Sequence, residues 1–133
     1  RMLFSDYLYR IKTTEKMHDP LRVFVSDKEF LKIFVKSEIG DQYNVPTVAV
    51  LQAVDDARAY HYPPTCCIKP THLSGEVILR SEGSPVDLDR VASWFSRSHY
   101  RSTRESNYRY LRPKVIVEPI VFGDSNISDY KIF

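Results

Sequence analysis

Two short apolar runs with only a small polar segment between them leave a chain little choice of local structure. Here the runs are Cys66-Cys67-Ile68 and Val77-Ile78-Leu79, joined by Lys69-Pro70-Thr71-His72-Leu73-Ser74-Gly75-Glu76. Such runs around a Ser/Gly-containing loop predict an antiparallel hairpin. Lys69 stands at the end of the first strand. An ammonium on a rigid strand, beside a loop with free backbone N–H groups, is suited to hold a polyphosphate. The same residues also read as a surface hairpin with a solvated lysine, because motifs this short recur by chance.

The 133 residues suffice for one core-forming domain and are too few for two sizeable ones. A formal net charge of +2 gives no electrostatic warrant for a nucleic-acid partner. No apolar run approaches the roughly 20 residues of a membrane span, and Arg1-Met2-Leu3-Phe4-Ser5-Asp6 turns polar too early for a signal peptide. The two cysteines are neighbours. Adjacent strand residues point to opposite faces, so a bond between them would be strained, and reduced thiols in a cytoplasmic protein are expected. The four histidines show no metal-ligand spacing.

Arg1 to Asp19 has no sustained period and reads as a peripheral helix or an irregular arm. Ser26 with Glu29 forms a capping box, with apolar positions at helical spacing after it and Gly40 at the C-terminal cap. Val45 to Val50 predicts a strand entered through Pro46, and Asp55 to Tyr60 a helical turn. Ser84-Pro85-Val86-Asp87 opens a further helix with Leu88, Val91, Ala92 and Phe95 as its buried stripe and Trp94 flanking it, partly exposed. From Arg97 to Lys114 arginine and tyrosine interleave. Such a stretch can stack bases and hold phosphates, or it can be a short helix capped by Thr103 with its arginines in water. Val115-Ile116-Val117 predicts a strand, Glu118 to Phe122 its exit, and Asp129 to Phe133 the start of another. The order predicts an α+β fold with a mostly antiparallel sheet and flanking helices.

An ordered set of segments carries a resemblance. It comprises Asp19-Pro20-Leu21, Ser26-Asp27-Lys28, Glu38-Ile39-Gly40, Val45-Pro46-Thr47 and Ile68-Lys69-Pro70-Thr71-His72-Leu73-Ser74-Gly75. Thr103-Arg104-Glu105-Ser106-Asn107-Tyr108, Arg112-Pro113-Lys114-Val115-Ile116-Val117-Glu118 and Asp129-Tyr130-Lys131-Ile132-Phe133 complete it. Together they resemble the TupA-like ATP-grasp family, the teichuronopeptide-biosynthesis-type enzymes of bacterial cell-surface polysaccharide pathways. The resemblance implies an ATP-dependent carboxylate–amine ligase working through an acyl phosphate, with ATP and Mg2+ as cofactors and a carboxylate-bearing sugar or amino acid as substrate. By position, Lys69 would contact nucleotide phosphate, and His72, Ser74 and Gly75 would form the loop over the phosphates. Glu118 would bond the adenine amino group, with the backbone of Ile120 and Val121 at the adenine edge. Lys131 would approach the phosphates from the other side.

The implied organisation is residues 1–62 as a preceding helical and strand segment, 63–122 as the nucleotide-binding subdomain, and 123–133 as the start of a second subdomain. On that reading the chain is the front portion of a longer ligase, truncated before the metal-binding subdomain. The magnesium ligands are then expected beyond Phe133, no catalytic or metal residue lies within the chain, and the 133 residues alone are expected to be inactive. Two departures stand out. The family usually has glycine where Leu73 and Glu76 stand, which restricts the loop and places an acid near the phosphates. A degenerate, non-catalytic binding module is therefore one alternative, and a small nucleic-acid-binding domain using Arg97–Lys114 is another.

Overall fold

The computed structural model describes residues 2–121, so Phe122, Lys131 and the strand expected from Asp129 lie outside the described residues. The chain opens with α1 (Phe4–Lys12), whose apolar residues apart from the half-buried Ile11 remain exposed, and a 3-10 turn at Glu15–His18. Helices α2 (Pro20–Ser26) and α3 (Lys28–Glu38) follow almost without interruption. Then come β1 (Ala49–Leu51), α4 (Val54–Ala59), β2 (Cys66–Pro70), β3 (Ile78–Arg80), α5 (Leu88–Trp94), α6 (His99–Thr103) and β4 (Val115–Glu118). No helix among the described residues is long and apolar enough to cross a membrane.

The strands form one sheet in the order β1-β4-β2-β3, every pair antiparallel. The fold is thus α+β. The hairpin pairs Cys66 with Arg80, Cys67 with Leu79 and Ile68 with Ile78. On its other side β2 pairs Cys67 with Glu118 and Lys69 with Ile116. The first 62 residues thus contribute the edge strand β1, which pairs Leu51 with Val115.

Strand alternation gives the sheet two different faces. Cys66 and Ile68 of β2, with Val115 and Val117 of β4 and Leu51 of β1, pack on one face into the core. Val91 and Trp94 of α5, Ala57 of α4, Tyr62 and Leu73 complete that core. Cys67, Lys69, Ile116 and Glu118 fall on the opposite face. Side chains of α3 reach this second face, so it is a polar layer between sheet and helix. Both thiols are free, and burial pushes each above its ordinary range.

Several local expectations are corrected. The cap of α3 is Asp27, not Ser26: its carboxylate accepts from Glu29 N at 2.9 Å and Phe30 N at 3.4 Å. Ser26 instead closes α2, its hydroxyl bonded to the Arg22 carbonyl. Asp87, not Ser84, caps α5 and accepts from Arg90 N at 2.9 Å. Thr103 ends α6 rather than capping a helix, and the chain leaves through Arg104 in the left-handed region at φ 60°. Trp94 is fully buried, its indole N–H donating to Glu76 at 3.2 Å. Residues 45–48 stay outside the ladder, except that Val48 N donates to Val117 O at 2.8 Å. Gly40 does follow α3 with positive φ, 104°, donating back to the Val35 carbonyl.

Candidate functional site

The polar face of the sheet gathers charge at one end. Lys69 projects from β2, and Glu118 ends β4 one diagonal step away, so their side chains share a face. Lys69 Nζ lies 2.5 Å from Glu118 Oε2. Lys32, one turn into α3, pairs with the other oxygen of the same carboxylate and donates to the Val45 carbonyl and to Thr47 Oγ1. Glu118 is 2 % exposed, whereas Lys69 keeps 27 % of its side chain in solvent. A buried carboxylate held by two lysines, both partly in water and Lys69 the more so, is therefore the central feature.

A second polar cluster fixes the base of the hairpin loop. Asp27 is buried, and besides capping α3 it accepts from Thr71 Oγ1 at 3.0 Å and faces Lys114 Nζ at 3.2 Å. Lys114 also pairs with Glu29 and lies over the Phe30 ring at 4.1 Å. Lys28 donates to the carbonyls of Pro70 and Leu73, the two ends of the loop's first turn. Burial first, and then the nearby Lys69 charge, bring the Lys28 ammonium down to about 8, although Asp27 and Glu118 oppose the fall. A buried charge without a full ion pair pays this cost in proton affinity.

The loop itself is only partly free. Thr71 is buried and its N–H donates to the Lys114 carbonyl. His72 is 3 % exposed and its Nε2 bonds the Trp94 carbonyl at 3.0 Å, while burial lowers its proton affinity. Leu73 belongs to the core, where a loop residue with restricted backbone was expected. Ser74 and Gly75 are exposed, and Gly75 takes φ 79° with nothing near the space a Cβ would occupy. Glu76 is tied to Arg97 at 2.6 Å and Arg90 at 3.1 Å, which hold its carboxyl below the usual range. Its charge is thereby compensated rather than presented to the loop.

Past Glu118, ladder pairing ends at Pro119, which has no N–H. Ile120 is half-buried and Val121 exposed as the chain leaves the sheet. The structure brings Lys69 and Glu118 together on the polar face, whereas His72 is held on the Trp94 carbonyl at the core side and Ser74 and Gly75 stand exposed at the loop tip. Lys131 lies outside the described residues. Sequence reasoning assigned no role to Lys28 or Lys32. Both sit on α3 at positions i and i+4, and that common face was the available signal.

No curated protein and no solved structure matches the chain. Residues 8–133 match the family model described as TupA-like ATPgrasp, nearly the whole sequence. With its antiparallel sheet and clustered lysines, the chain belongs to the TupA-like ATP-grasp family.

Proposed function

We propose that this chain provides the nucleotide-holding face of an ATP-dependent carboxylate–amine ligase, working through an acyl phosphate in bacterial cell-surface polysaccharide biosynthesis. The observation that carries the reading is Lys69, with about a quarter of its side chain in water, resting on a buried Glu118 that Lys32 also holds. Because Lys32 stays with Glu118, Lys69 can turn toward a phosphate without leaving a buried carboxylate unpaired. That removes the penalty which would otherwise oppose the movement. ATP, when bound, supplies the phosphoryl group. Phosphoryl transfer asks a protein mainly for positioning and positive charge around the transferred group.

Within that reading, Ser74 and Gly75 offer their backbone N–H groups to phosphate, and Lys69 offers its ammonium. His72, locked on the Trp94 carbonyl, holds the loop in place from below. Lys28 fixes the loop's first turn through two carbonyls and adds positive charge behind it. Glu118, Ile120 and Val121 are assigned to the adenine side, and Lys131 to the far side of the phosphates. Residues 63–122 form the nucleotide-binding unit in this assignment, and the cytoplasm is the compartment that supplies ATP. ATP-grasp enzymes in general also use Mg2+. Among the described residues no group of three or more His, Cys, Asp or Glu side chains is placed to hold a metal ion.

Titration of the full chain with ATP by calorimetry tests the reading. Lys69→Ala is expected to weaken ATP by about 10- to 100-fold, since a charge-assisted hydrogen bond contributes about 1.5–3 kcal/mol. An unchanged affinity with an unchanged fold would remove Lys69 from the site.

A further inference from the structure

We propose that the groove between α6 and the 106–113 segment binds the carboxylate of the ligase's acid substrate, with Arg101, Arg104 and Arg109 as its anion-recognising groups. The inference rests on the ligase reading above and names the place of its second substrate. A cavity of about 510 Å³ opens here, lined by these arginines together with His72, Tyr100 and Tyr108. It shares Arg97, Ser98, His99 and Arg101 with an adjoining cavity of about 390 Å³ that extends to Leu73 and Ser74. The two cavities are thus neighbours, and the second ends at the exposed tip of the hairpin loop.

Among the described residues no acidic side chain lines either cavity. The acids close by are already engaged: Glu76 with Arg90 and Arg97, and Glu105 with Lys12 at 2.8 Å and His99 at 3.3 Å. Arg101, Arg104 and Arg109 form no ion pair among the described residues. The guanidinium groups of Arg104 and Arg109 instead both rest on the Tyr100 ring, at 5.8 and 5.4 Å. Two like charges drawn to one ring repel each other, and an anion between them would relieve that repulsion. Arg104 also holds φ 60°, a left-handed conformation that is costly outside glycine. Guanidinium groups suit a carboxylate because their paired N–H groups match its two oxygens. The tyrosine rings of the groove offer flat apolar faces to the body of such a ligand. The neighbouring cavity ends at Ser74, next to the loop assigned to the phosphates, where the carboxylate has to meet the transferred phosphoryl group.

The experiment is equilibrium binding to the full chain, with glucuronate, L-glutamate, glucose, inorganic phosphate, ATP and a mixed-sequence oligonucleotide as separate probes. The variants are Arg101→Gln, Arg109→Gln and Lys69→Ala, with Arg109→Lys as the charge-keeping control. Both arginines are exposed, so these changes leave the fold intact, and circular dichroism checks it. A carboxylate probe is expected to bind while glucose does not. Each Gln variant should weaken the carboxylate at least 10-fold, Arg109→Lys less, and ATP affinity should stay within twofold. Lys69→Ala should do the reverse. Carboxylate binding that is absent, or indifferent to both Gln variants, overturns the proposal. So does arginine-dependent binding of phosphate or oligonucleotide in preference to both carboxylates, or a loss of ATP in the Gln variants as large as in Lys69→Ala. If Lys69→Ala spares ATP while the carboxylate remains arginine-dependent, the nucleotide assignment fails and the groove stands.

Discussion

Removing Glu118 and Lys69 singly and together reads the central cluster as energy. Two unit charges about 4 Å apart attract by about 1 kcal/mol in water and about 4 kcal/mol at an effective dielectric constant of 20. Glu118 is almost wholly buried and Lys69 is 27 % exposed, so the pair falls between those limits. The two halves are not equivalent. After Lys69→Met, Lys32 still compensates the carboxylate, and the expected loss of stability is about 1 kcal/mol. After Glu118→Gln, two lysines face each other across an uncharged amide, and the expected loss is about 2–3 kcal/mol. This is less than for a fully buried broken pair, because both lysines reach some solvent. The double variant should show a coupling of about 1–2 kcal/mol. Urea denaturation of the four proteins measures all three quantities. A coupling under about 0.5 kcal/mol would put the pair among ordinary surface contacts. A Lys69→Met cost equal to that of Glu118→Gln would mean that Lys32 does not share the carboxylate. Either result would undo the argument that Lys69 is free to leave.

Three further outcomes are expected. Lys28 titrates near 8 in the folded chain and at its ordinary, higher value once unfolded, so the unfolded state binds more protons between those values. Stability should therefore rise with pH from about 8 upward relative to Lys28→Met, and a flat difference in urea midpoints across that window would contradict the burial of its charge. Leu73→Ala should cost about 2–4 kcal/mol in chemical denaturation, because Leu73 fills the core; a loss below about 1 kcal/mol would return it to the loop. Asp27→Ala removes a helix cap, a buried hydrogen bond and an ion pair at once and should cost about 3 kcal/mol or more, while Asp27→Asn keeps the cap and costs less; equal thermal shifts for the two would show that the cap contributes nothing beyond the lost charge.

The parts legible in the sequence were those fixed by local pattern. The hairpin, the helix ending at Gly40 and the strand at Val115 each follow from spacing or backbone chemistry within a few residues. Misreadings occurred where two nearby residues offered the same chemistry. Ser26 and Asp27 are both good caps, and the choice falls to Asp27 because its second oxygen also meets Thr71 and Lys114, more than 40 residues away. Trp94 was taken as flanking the stripe of α5. It is the centre of the core because the sheet beneath that helix leaves room for an indole, with Glu76 to receive its N–H.

The same distinction separates the residues assigned to the site from those that support it. Lys69 and Glu118 stand at strand ends beside a loop and an exit, so their positions could be read along the chain. Lys28 and Lys32 look like the solvated side of an amphipathic helix, where lysine is usual. Only the packing of α3 on the polar face of the sheet turns them inward, onto the Pro70 and Leu73 carbonyls and onto Glu118. Glu76 shows the converse. In sequence it is an acid next to a phosphate loop, an unfavourable neighbour; in the fold Arg90 and Arg97 from the following helix and its exit draw it away. The substitution of an acid at that position is thus tolerated because the chain carries its countercharges about 14 and 21 residues later. Replacing both arginines would return the acid to the loop that the reading assigns to nucleotide phosphate.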